Sequence, residues 1–105
     1  MALEINDATF SAEVLETKGL VLVDFWGSHC RPCLALAPTI QQLSDEYAGR
    51  IKVCKANVEE NMNSANMYGI SSIPALLLFR DGNVIDQILG NVPKTRIQQM
   101  MDAAL

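Results

Sequence analysis

Residues 20–33 read LVLVDFWGSHCRPC, and the change of character within this stretch decides the fold. Its first seven residues, 20–26, are almost continuously apolar and β-branched. That is the pattern of a strand covered on both faces. From Cys30 the period changes. Cys33, Leu36, Ala37, Ile40, Leu43 and Tyr47 recur at spacings of three and four, which mark one face of a helix over 30–47. Pro32 fits the first turn, where its missing N–H costs little. Pro38 falls mid-helix and is expected to kink it.

Working outward, "LEI" at 3–5 is a short strand, and "DATFSAEVLET" is a helix with Phe10, Val14 and Leu15 on its apolar face. Gly19 ends that pattern. On the other side, "IKVCKANV" at 51–58 is a second buried strand, and a short helix over 61–68 stops at Gly69. "ALLLF" at 75–79 is a strand, "DGN" at 81–83 an Asp-Gly turn, and "VIDQIL" at 84–89 the returning strand. A last helix begins near Pro93, with Ile97, Met100, Met101 and Ala104 on one face. The order β-α-β-α-β-α-β-β-α implies parallel crossovers early and an antiparallel hairpin late. The expected fold is α/β, a mixed five-stranded central sheet with helices on both faces.

The chain has 105 residues, which predicts a single domain over 1–105 with a modest core. Its net charge is −4 with no basic stripe, which argues against nucleic-acid binding. No apolar run approaches the roughly 20 residues of a membrane span. The start "MALEINDATF" carries neither a basic leader nor an apolar core, so a cytoplasmic location is expected. A monomer is the expected state. The cysteines are Cys30, Cys33 and Cys54, an odd count with one tight pair. In a reducing compartment such a pair points to catalysis or metal binding rather than to a structural disulfide.

The pair sits where a strand passes into a helix. A helix's first turn carries unpaired N–H groups and about half a positive charge, which favour a thiolate, the reactive form. Positions i and i+3 are close enough for a disulfide, so one sulfur can attack and the other resolve. Two other readings stay open at this point. Both cysteines could be structural, or His29, Cys30 and Cys33 could offer metal ligands, although no second Cys/His pair completes a zinc site. Asp24 lies in an apolar strand, where a carboxylate is costly unless paired. Lys55 offers a partner; alternatively burial raises the carboxyl's pKa and suits it to proton exchange. Cys54, mid-strand, reads as core. No Gly-rich dinucleotide fingerprint is present, so no bound nicotinamide cofactor is expected.

Trp26, Cys30, Pro32 and Cys33 resemble the active-site segment of the thioredoxin family, usually Trp-Cys-Gly-Pro-Cys. The likeness extends over essentially the whole chain, through Asp24, Lys55, Pro38, "GISSIPALLLF" and Gly90. It implies protein disulfide reduction by a Cys30/Cys33 dithiol, with Asp24 aiding proton transfer at Cys33. Trp26, Lys55 and a cis Pro74 would support the site. His29, Arg31, Ile73 and Gly90 would meet substrate, the Ile73 backbone pairing with the substrate chain. The resemblance further implies recharging by a flavoprotein of the thioredoxin reductase type, no metal, and no cofactor beyond the Cys30–Cys33 disulfide. The alternatives are a disulfide isomerase or oxidant with altered partner choice, and a non-catalytic metal-binding or scaffold module on the same fold.

Two positions depart from the family pattern: His29 replaces a usual tryptophan and Arg31 a usual glycine. If they lowered the Cys30 pKa from about 8.5 to about 6.5, the thiolate fraction at pH 7 would rise from roughly 3% to about 75%. Falling nucleophilicity would cancel most of that, leaving a gain of about threefold in rate and about 20 mV in potential. Their larger effect is therefore expected in partner choice.

Overall fold

The computed structural model describes residues 1–105. The apolar strand at the head of the quoted stretch is its centre. This strand, β2 (Leu20–Trp26), pairs parallel with β3 (Ile51–Asn57) and antiparallel with β4 (Ala75–Arg80). β1 (Leu3–Ile5) runs parallel on the far side of β3, and β5 (Asn83–Leu89) antiparallel on the far side of β4. The sheet order is β1-β3-β2-β4-β5, the mixed five-stranded sheet expected. With strands on both sides and helices on both faces, β2 buries residues 21–25 completely, hence its unbroken apolar run.

Alternation along the strands divides the interior into two cores. Leu22, Val53, Leu76 and Leu78 face one side, closed by Leu36, Ile40 and Leu43 of α2 (Arg31–Glu46) and by Ile97, Met100 and Met101 of α4 (Lys94–Ala104). Val21, Val23, Phe25, Leu77 and Phe79 face the other. That side is closed by Phe10 of α1 (Asp7–Phe10), Val14 of the π-helical segment π1 (Ser11–Leu15) and Ala65 of α3 (Met62–Met67). Asp24 has the same parity as Leu22, so it lies on the α2 side of the sheet.

One element differs in detail from its sequence pattern. The first helix is α-helical only over its first turn, held by an Asn6–Thr9 capping box, and then widens into π1. The wide turn closes through the Glu16 N–H on the Ser11 carbonyl at 2.8 Å and the Ser11 hydroxyl on Glu16 at 2.8 Å, both spaced by five residues. Apolar spacing does not report that widening, because Phe10 and Val14 face the core in either form. Helix α2 runs unbroken through Pro38. β4 runs antiparallel to β2 for a reason of length. A helical crossover would return the chain to the start of the sheet, but α3, with six residues, rises only about 9 Å. The seven residues of β3 span about 23 Å. The chain therefore stays at one end of the sheet and re-enters it antiparallel.

The Asp-Gly turn has both central residues left-handed, with φ 50° at Asp81 and 83° at Gly82. The Asp81 carboxylate also accepts the Gly19 N–H at 2.7 Å, fastening the turn to the start of β2. A side chain at Gly82 would drive into the Leu15 carbonyl. Gly82→Ala is therefore expected to lose about 2–3 kcal/mol in urea denaturation, from backbone strain plus the clash; a loss below about 0.5 kcal/mol would contradict this packing. No helix is long and apolar enough to cross a membrane.

Candidate active site

The carboxyl ends of β2 and β3 and the start of β4 meet at one end of the sheet, where Phe25 lies opposite Ala75 and Trp26 opposite Asn57. Past Trp26 the chain turns through Gly27, whose carbonyl accepts the Cys30 N–H at 3.2 Å, and α2 begins. Cys30 is the N-cap residue of α2, and its Sγ accepts the backbone N–H of Cys33 at 3.2 Å. A sulfur in that position takes one of the unpaired N–H groups and the positive end of the helix dipole. The two sulfurs form a disulfide across a Cα–Cα distance of 5.2 Å. They are not equivalent: Cys30 is half-buried, whereas Cys33 is 2% exposed.

The segment leading into β4 packs over this pair. The Ile73–Pro74 peptide bond is cis, Pro74 is buried, and the Ile73 carbonyl oxygen lies 3.8 Å from Cys30 Sγ. Gly90, with φ 89°, donates its N–H to the Pro74 carbonyl at 2.8 Å. Gly27 allows this close packing, since a Cβ there would stand 2.9 Å from Ile73 Cδ1. Beside Cys30 a shallow depression of about 260 Å³ is lined by Gly27, Ser28, His29, Val58, Glu59 and Ile73. Across it the Ser28 hydroxyl donates to Glu59 at 2.9 Å. His29 and Arg31 are both exposed, and neither enters an ion pair. Arg31 is the first residue of α2, the end at which a cation opposes the helix dipole. A larger depression of about 620 Å³ lies at the opposite end of the sheet, around Gly19, Leu20, Arg50 and Ile51, away from both cysteines.

Behind the disulfide a row of ionisable groups crosses three strands: Glu4 on β1 is in register with Lys55 on β3, which is in register with Asp24 on β2. Asp24 is 1% exposed, and no group hydrogen-bonds its Oδ1. Burial raises its carboxyl to about 7 despite the attraction of Lys55, and the charge of Glu4 pushes the same way as burial. The sequence offered Lys55 as the ion-pair partner of Asp24, but its ammonium pairs with Glu4 Oε1 at 3.9 Å. It also lies 4.5 Å from the centroid of the Trp26 ring, a cation–π contact. Cys54 is fully buried on the other face of the sheet, and burial pushes its thiol up to about 11, which makes it an inert core residue.

Every site residue singled out from sequence therefore lies at or just behind this end of the sheet. Glu4, Gly27, Val58 and Glu59 were missed. Gly27 and Val58 carry no chemical signal of their own, and Glu4 joins the site only through strand register. No group of three or more His, Cys, Asp or Glu residues is arranged to hold a metal.

The sequence model of the thioredoxin family matches residues 1–103. The thioredoxin of Chlorobaculum thiosulfatiphilum is 46% identical over 99 residues, covering 94% of this chain and 92% of that protein. Thioredoxin 1 of Synechococcus elongatus is 44% identical over 105 residues, all of this chain and 98% of that one. The thioredoxin of Pseudomonas aeruginosa is 40% identical over 99 residues, 94% of this chain and 92% of the relative. With this fold, a disulfide capping α2 and a cis proline beside it, the chain belongs to the thioredoxin family of protein-disulfide oxidoreductases.

Proposed function

We propose that the protein is a single-domain reductant of protein disulfides working through the Cys30/Cys33 dithiol. In the reduced form the Cys30 thiolate attacks one sulfur of a substrate disulfide. That S–S bond breaks, one substrate sulfur leaves as a thiolate and takes up a proton, and Cys30 is held in a mixed disulfide. The Cys33 thiol then gives its proton to the Asp24 carboxylate, and its sulfur attacks Cys30. The second substrate sulfur leaves and is protonated. Two electrons and two protons have passed to the substrate, and the Cys30–Cys33 disulfide is the oxidised product. The observation that carries this reading is the asymmetry of the pair: Cys30 reaches the surface and holds the helix N–H, while Cys33 is buried behind it.

In this reading the backbone of the half-buried Ile73, beside Pro74, aligns the substrate chain, and Gly90 leaves open space next to it. Trp26 and Lys55 close the site around Asp24. No bound cofactor is required; a flavoprotein of the thioredoxin reductase type in the cytoplasm recharges the monomeric protein. Isomerase, oxidant and metal-scaffold roles have no support from the site or the relatives. The test is catalytic reduction of insulin disulfides with dithiothreitol as electron source. Many thiols released per protein molecule are expected; a rate equal to dithiothreitol alone would refute the function.

His29 and Arg31 bear on which partners dock. The double variant His29→Trp/Arg31→Gly is expected to move the redox potential by about 20 mV or less. Its relative rates on a panel of acidic and neutral protein disulfides should shift severalfold, because both side chains stand free beside Cys30. Unchanged relative rates would remove these residues from partner selection.

A further inference from the structure

Lys55 stands between two carboxylates in the register of the sheet, Glu4 on one side and Asp24 on the other. Its ammonium goes to the outer one, 3.9 Å from Glu4 Oε1, and rests over the Trp26 ring. Asp24 is left buried with an unpartnered oxygen. As a surface ion pair Glu4–Lys55 has little energetic purpose: the Glu4 side chain is 55% exposed, and such pairs contribute about 0–1 kcal/mol. Its consequence lies in where it holds the cation.

We propose that Glu4 is a positioning residue for thiol–disulfide exchange, which draws the Lys55 ammonium towards β1 and so leaves the buried Asp24 carboxyl without a paired cation. This rests on the reading of Asp24 as the proton acceptor for Cys33. A cation moved against Asp24 would stabilise the carboxylate and make it a weaker base. Glu4 acts against that twice, by holding Lys55 away and by adding its own negative charge. Few other groups compete. On the face that holds Asp24, β4 contributes Leu76 and α4 contributes Ile97, Met100 and Met101, all apolar. Trp26 on β2 does not titrate. Helix α2 contributes Cys33, a titrating thiol only when reduced. In the oxidised protein burial therefore raises the Asp24 carboxyl, and the charges that adjust it are those of Lys55, which lowers it, and Glu4, which raises it.

The test follows the Asp24 carboxyl by carbon NMR across pH in the oxidised protein, where no turnover occurs. In Glu4→Gln the Asp24 midpoint is expected to fall by about one pH unit, as Lys55 swings to the remaining carboxylate. In a Lys55→Met background the same Glu4→Gln change is expected to move the midpoint by less than about a third of that, since there is no cation to redirect. An unmoved midpoint in Glu4→Gln overturns the proposal. So does an undiminished shift in the Lys55→Met background, which would make Glu4 a remote charge and nothing more. The pH–rate profile of disulfide reduction by Glu4→Gln should move in the same direction as the midpoint. The two readings part cleanly: if Asp24→Asn left that profile unchanged, the proton-acceptor role would fall while the NMR shift still decided what Glu4 does to Asp24.

Discussion

Cys30→Ser protein reduces no insulin beyond background, a loss on the order of 10³-fold or more. The hydroxyl that replaces the thiol does not ionise near neutrality and is no nucleophile towards sulfur. The fold should survive, because Cys30 occupies the N-cap of α2 and serine is among the preferred residues there. Cys33 cannot substitute from its buried position at 2% exposure. The complementary variant, Cys33→Ser, should behave differently. It attacks once and stalls, so one substrate thiol is released per protein molecule and mass spectrometry finds the substrate joined at Cys30. Repeated turnover by Cys33→Ser, or a substrate adduct at Cys33 in the Cys30 variant, would reverse the assigned order of attack.

Asp24→Leu should make the oxidised protein more stable and the reduced protein slower. A carboxyl moved by burial from 3.8 to about 7 opposes ionisation in the folded state. The unfolded chain ionises at the lower value, so the folded state sheds stability as pH rises between those two values. Below 3.8 both states are protonated and the penalty is absent; above about 7 it is complete. The full penalty is about 4 kcal/mol, and it accrues at about 1.4 kcal/mol per pH unit. Leucine fits the apolar surroundings of β2 and carries no such cost. Urea denaturation at several pH values should therefore show the Asp24→Leu advantage growing to about 4 kcal/mol at pH 8 and shrinking towards zero near pH 4. An advantage that does not vary with pH would mean that Asp24 ionises normally in its buried site. The rate of mixed-disulfide resolution should drop by about 10²-fold, the low end for loss of a general base, because the start of α2 still assists the Cys33 thiolate.

Much of this was legible before any coordinates. The passage of LVLVDFW into a helical period placed a buried strand and a helix end to end, and tertiary structure has no cheaper way to satisfy both patterns than a strand inside a sheet and a helix upon it. The dithiol's position at the helix start followed from that junction. Pro74 could be expected in cis only from the resemblance, since most bonds to proline are trans. The π-helical widening after Phe10 was not legible, because it leaves the apolar spacing intact. Nor was the partner of Lys55: a lysine between two strands has two neighbours, and only the pairing of β1 with β3 reveals that the outer one carries Glu4.

By itself the sequence determined the class of fold, the strand–helix junction, the reactive pair and the buried carboxylate, because periodicity and residue chemistry are properties of short stretches. Strand order, the antiparallel entry of β4, the meeting of Ile73 with Cys30 and the capture of Lys55 by Glu4 were decided only in three dimensions. Each depends on residues distant in the chain, and which of them become neighbours is fixed by how the two cores close on the sheet.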